Sequence, residues 1–142
     1  MKTKTIGYWT TTALVALAFA AGGAADLSRS PDVVAGMAHL GYPAYFAALL
    51  GAWKLLAVPA LLAPGLPRLK EWAYAGILFD LTGAAVSHAS SGDGIGKVMT
   101  PLVILALAIA SWALRPASRT LAPLAQREPA ARRSVPEVVV VA

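Results

Sequence analysis

The sequence has no cysteine and little charge. Without cysteine there is no disulfide, no thiol nucleophile and no thiolate-bound metal. Charged residues make up 13% of the 142 positions, against roughly 25% in an average soluble domain. Also missing are a glycine-rich phosphate loop, a nucleophile with its base, and the paired carboxylates of a hydrolase. Ser87 beside His88 is adjacency in sequence and not a catalytic arrangement. The formal net charge of +5 is not accompanied by an interleaved aromatic and basic face, which excludes a nucleic-acid partner.

What is present is apolar: 58% of the residues are hydrophobic, and most lie in long runs. A bilayer core takes about 20 apolar residues as a helix, and four stretches approach that length: 8–25, 44–63, 72–89 and 95–114. The expected class is all-α, an integral membrane four-helix bundle. The first run also resembles a secretory signal, with Lys2 and Lys4 before an apolar core and AGGAA after it. Its length and the runs that follow favour an uncleaved span. Tyr8 and Trp9 suit an interfacial anchor.

Between the first two spans, Ser30, Pro31 and Asp32 form a helix start, as cap, first-turn proline and first-turn acid. Val33, Val34, Met37 and Leu40 then repeat on one helical face. Gly41 and Pro43 stop the helix, which predicts a short outer amphipathic helix in the interface. Pro59 predicts a kink late in the second span. Residues 64–71 form a turn, and 116–142, rich in Pro, Ala and Arg, are expected to be a disordered tail. The resulting plan is a terminal segment 1–7, a four-span domain 8–115 and a tail 116–142.

Charge sets the orientation. With four spans, Lys2, Lys4, Arg68, Lys70, Arg115, Arg119, Arg127, Arg132 and Arg133 fall on one side, and only Arg29 and Lys97 on the other. Positive residues stay cytoplasmic, which places both termini inside a bacterial inner membrane.

Two charges remain near mid-span. Lys54 lies in the second run and Asp80 in the third. A charge at that depth costs on the order of 3 kcal/mol and is normally paired or functional. Antiparallel helices bring the two to one depth, so a Lys54–Asp80 ion pair is expected. His88 lies two helical steps of four beyond Asp80 and shares its face, which makes Lys54, Asp80 and His88 a buried polar axis. Asp26, ending the first span, and His39, in the amphipathic segment, are outer-edge candidates. Imidazole with carboxylate suits several metals, but no ligand spacing enforces a site, and no metal is expected. Glu71 reads as a solvated boundary charge, and Gly51, Gly76 and Gly83 as positions for close helix packing.

MAHLGYPAYF (37–46), GAWKLLAVPALLAPGLPRLKEWAYAG (51–76), FDLTGAAVSH (79–88) and SWALRP (111–116) resemble the DoxX-like family of small bacterial membrane proteins. The resemblance spans about residues 8–116. It implies four inner-membrane helices, with Lys54, Asp80 and His88 at characteristic positions. The wider DoxX group includes membrane subunits associated with thiosulfate–quinone oxidoreduction and oxidative-stress complexes. Lacking cysteine, this chain has no thiol relay for such a role.

Three functions follow as expectations. The first is an accessory, non-catalytic subunit of a quinone-linked or stress-related oxidoreductase, with quinone as the implied cofactor and a redox subunit as partner. The second is a structural membrane protein with a packing ion pair. The third is a small proton-coupled transporter working as a homo-oligomer, because four short helices enclose little volume in one copy.

Overall fold

The computed structural model describes residues 2–121. They form five α-helices, α1 Lys2–Ser28, α2 Pro31–His39, α3 Ala44–Leu62, α4 Pro67–Ser90 and α5 Ile95–Ala113, followed by a 3₁₀ turn at Ala117–Arg119. The fold is all-helical, with no strand among the described residues. The four long helices close a ring in which α1 packs on α3 and α5, and α4 packs on α5 and α3. The α3–α4 seam is the loosest of the four. Inside the ring, Val15, Phe19, Leu61, Tyr74, Ile77, Leu81 and Ala108 form the core.

The outer surface is as apolar as the core. Trp72 is 76% exposed and Phe79 73%, with Leu17, Trp53 and Leu56 also on the outside. Soluble monomers rarely expose contiguous apolar surface on this scale, whereas lipid tails are a good solvent for it. Helices α1, α3 and α5 are each long and apolar enough to cross a membrane. The chain is a multi-pass membrane protein.

Three helix boundaries differ from the sequence reading, the first being the start of α1 at Lys2, inside the expected terminal segment 1–7. Helix α1 runs on to Ser28 instead of closing near residue 25, so Asp26 lies in its last turn. Helix α4 starts at Pro67, because proline suits a first helical turn, and it absorbs Arg68, Lys70 and Glu71 from the expected turn. The turn itself reverses through left-handed backbone at Gly65 and Leu66. The amphipathic helix forms where expected: Ser30 accepts the Val33 amide at its start, and Gly41 follows its end at φ +82°. Val33, Val34, Met37 and Leu40 are its half-buried residues. Helix α3 continues through Pro59 for three residues before it ends.

The two ends of the bundle are held differently. At one end, where α3 finishes and α4 begins, the last carbonyls of α3 lack intrahelical donors. Lys70, fully buried, donates to the carbonyls of Ala60 and Leu61 at 2.9 Å and to that of Ala63. Arg119 reaches Leu61, Leu62 and Ala63 from the other side at 3.3–3.4 Å and lies over Trp9. Two cations thus cap a helix C-terminus, where the dipole favours positive charge. Arg119 belongs to the expected tail, of which residues 116–121 are packed here and 122–142 lie outside the described residues. Glu71 is more than a solvated charge: it accepts from Arg115 at 2.8 Å and from the Trp112 indole at 3.0 Å. Burial disfavours its charge, but those two hydrogen bonds and the Arg115 charge outweigh it and lower its pKa.

Candidate functional site

Helices α1 and α3 meet at Gly23 and Gly51. A Cβ on Gly51 would stand 2.8 Å from the Gly23 carbonyl oxygen and 2.9 Å from Leu27, so only glycine allows this approach. The Lys54 stem also runs past Gly22, where a Cβ would sit 3.9 Å from Lys54 Cδ. Side chains lean toward the N-terminus of their own helix, which tilts Lys54 back toward the end of α1 where Asp26 waits.

Lys54 Nζ donates to Asp26 Oδ2 at 2.8 Å. Asp80 Oδ2 lies 4.0 Å from the same nitrogen, in ion-pair range but beyond a hydrogen bond. The expected Lys54–Asp80 pair is therefore the weaker half of a three-residue cluster joining α1, α3 and α4. Asp26 takes the first place because α1 runs one turn further than the sequence suggested. The side chains of Lys54, Asp26 and Asp80 keep 22%, 14% and 18% of their exposure, so the cluster is enclosed but reachable. One ammonium faces two carboxylates. In a low-dielectric site that leaves one charge to be balanced by a proton or a ligand.

Three cavities end on this cluster. The largest, about 510 Å³, lies between α3 and α4 and has Asp26, Lys54 and Asp80 among its lining. Met37, Leu40 and Tyr42 border it from the α2 side, and Trp53 and Phe79 form apolar walls. A second, of about 250 Å³, shares Trp53, Lys54, Gly76 and Asp80 with the first. Because Trp53, Leu56 and Phe79 are exposed on the lateral face, both open sideways through the α3–α4 seam. A third, of about 330 Å³, reaches Lys54 and Asp80 from between α1, α4 and α5.

The remaining candidates gather around Asp93, in the turn between α4 and α5. Asp93 accepts from His88 Nδ1 at 2.7 Å, Lys97 Nζ at 2.8 Å and His39 Nε2 at 3.1 Å. The His88 hydrogen bond, then those of Lys97 and His39 with the Lys97 charge, hold its carboxyl well below the usual carboxylate range. His88 thus sits on the Asp80 face of α4, yet its direct partner is Asp93. His39 joins this second cluster through Asp93. Tyr42 and Ser87 share a hydrogen bond at 2.8 Å alongside it, so the α2 segment is tied to α4 and α5 at two points. No group of three metal-ligating side chains is placed to hold an ion among the described residues.

A buried polar chain escaped the sequence reading altogether. Ser111 Oγ is 2.7 Å from both Thr12 Oγ1 and Tyr74 Oη. Thr12 spends its proton on the Tyr8 carbonyl at 2.6 Å. Ser111 must then donate to Thr12, and Tyr74 to Ser111. Nothing in the spacing of three single hydroxyls on three helices announces this chain.

No curated protein and no solved structure matches the sequence. A family model does, that of the DoxX-like family, over residues 10–111, from the first turns of α1 to Ser111 and so through Asp26, Lys54, Asp80, His88 and Asp93. With well over half of its length matched, this chain belongs to the DoxX-like family.

Proposed function

We propose that the chain is an accessory membrane subunit of a quinone-linked or stress-related oxidoreductase system in the bacterial inner membrane, and that it holds a quinone head group at Lys54. The observation that carries this reading is the α3–α4 cleft, apolar along its walls and charged at its floor. A lipid-soluble ring with carbonyl oxygens matches both properties. It enters from the bilayer between α3 and α4, lies against Trp53, and accepts a hydrogen bond from Lys54. At about 510 Å³ the cleft is within the range of small-molecule sites.

In this reading α4 crosses the membrane as the fourth span, with Asp80 turned into the bundle. The end carrying Lys70, Arg115 and Arg119 faces the cytoplasm, in keeping with the bias of positive residues. The end carrying Asp93 faces outward. Electrons come from a partner subunit, because the chain offers no redox-active side chain of its own at this site.

Titration of the purified protein in detergent with a short-chain quinone tests the reading, with tryptophan fluorescence as the signal. Saturable quenching that weakens about tenfold or more in Lys54→Met, a loss of about 1.4 kcal/mol, supports it. Quenching that is unsaturable, or equal in the variant, overturns it. The packing alternative draws on the Gly23–Gly51 crossing, which the Lys54–Asp26 bond locks. It predicts that replacing Asp26, Lys54 and Asp80 together by apolar residues leaves folding intact and every membrane phenotype unchanged.

A further inference from the structure

We infer that the cavity between α1, α4 and α5 is a water-filled proton path, connecting the aqueous phase at the Asp93 end to the Asp80 carboxylate. The inference deepens the reading above, and rests on it for which side is outside. It assigns a task to Lys97 and Thr100, which the α3–α4 cleft does not reach, and a second one to His88, which borders both cavities.

The cavity has a polar mouth and a polar base. Lys97, Thr100 and His88 line it at one end, and Asp80 and Lys54 at the other. Ala18, Gly22 and Ala84 line its middle, and their small size is what leaves the space. Asp80 and His88 are eight residues apart on α4, or about 12 Å at 1.5 Å per residue. A chain of about four waters bridges that distance, and each occupies about 30 Å³ of liquid volume. The cavity's 330 Å³ is ample. Both ends offer polar partners to these waters, and Phe19, Leu81, Pro101 and Ile104 complete the wall of a cavity that is open at its Lys97 end.

The groups facing each terminus suit proton exchange. His88 uses Nδ1 on Asp93, which leaves Nε2 for water, and Asp93 is also held by Lys97 from α5 and His39 from the end of α2. At the far end Asp80 faces Lys54 from α3 and, through it, Asp26 from α1. A proton taken from bulk water at the mouth passes along the waters to Asp80 and returns by the same route. No electron moves with it. Reduction of a bound quinone by two electrons from the partner subunit would take up two protons, and this path would carry them as far as Asp80.

The absence of cysteine from the chain makes the test direct. Single cysteines are introduced at Gly22 and Thr100, which line this cavity and not the α3–α4 cleft, at Ala84, which borders both, and at Val86 and Val103 on the lateral face. In intact cells and in inverted vesicles, each is exposed to a membrane-impermeant thiol reagent that reacts only with the hydrated thiolate. The Gly22→Cys and Thr100→Cys proteins are expected to react from the cell exterior at least about tenfold faster than the controls, since only they ionise in water. Val86 and Val103 are 64% and 55% exposed whereas Gly22 and Ala84 are half-buried, so exposure to lipid alone predicts the opposite order for those positions. Reaction from the inner side alone supports the path and overturns the orientation. No reaction at Gly22→Cys or at Ala84→Cys from either side overturns the path, whatever the quinone titration gives. A companion Thr100→Leu variant, which narrows the mouth of this cavity and leaves the α3–α4 cleft untouched, is expected to slow the infrared response of the Asp80 carboxyl to an external pH jump. An unchanged response overturns the path.

Discussion

Lys54 and Asp26 are hydrogen-bonded at 2.8 Å across the tightest helix crossing in the molecule, while Asp80 stands 4.0 Å away. The unequal distances rank the two carboxylates. Asp26→Asn is expected to lower stability by about 1.5–3 kcal/mol, as for a hydrogen bond to a charged group. Asp80→Asn should change it by less than about 1 kcal/mol. Thermal unfolding in one detergent, with both variants side by side, checks the ranking. A larger loss for Asp80→Asn would show that the 4.0 Å contact is the dominant one.

The crossing makes its own prediction. Alanine for glycine normally gains about 1 kcal/mol inside a helix, and Gly76→Ala, which meets nothing, should be neutral or stabilising. Gly51→Ala puts a methyl 2.8 Å from the Gly23 carbonyl oxygen. It should cost about 1–3 kcal/mol as overpacking. Because it pushes α1 from α3, it should also weaken the coupling between Asp26 and Lys54 in a double-mutant cycle.

Lys70 gives a pH dependence. Burial first, then the charges of Arg119 and Arg115, lower its pKa from 10.5 to about 8. It is protonated at pH 7 and donates to three carbonyls. Between pH 8 and 10.5 the unfolded chain holds this proton and the folded chain releases it, so stability rises with pH across that window. Unfolding measured for wild type and for Lys70→Gln should show a difference that moves in favour of wild type from pH 8 to 10.5. A difference that is flat across the window would contradict the assignment.

Asp93 has the reverse sign. Its pKa lies below the ordinary 3.8, so its contribution is complete above that value and is lost as pH falls further below it. Asp93→Ala should release the His39 contact and speed amide hydrogen exchange in α2 by about tenfold. Wild type should keep that protection at pH 5.

The sequence was most legible where local chemistry suffices. The Ser30–Pro31–Asp32 start and the Gly41 stop of α2 depend on neighbouring residues alone, and α2 formed as read. Boundaries were less legible where apolar periodicity fades into polar residues that a helix still tolerates. Asp26 and Lys70 look like ends of runs, yet both lie inside helices.

Hydropathy and composition alone determined that the chain is helical and lives in a membrane, because the bilayer demands long apolar segments with every backbone group paired within them. They also singled out Lys54 and Asp80, since a charge in such a segment is costly wherever it points. Which carboxylate binds Lys54, how Asp93 collects His39, His88 and Lys97, and how Tyr74, Ser111 and Thr12 align were decided only by the tertiary structure. Each depends on how far one helix extends and how closely it approaches another, as the bare backbones of Gly23 and Gly51 set for α1 and α3.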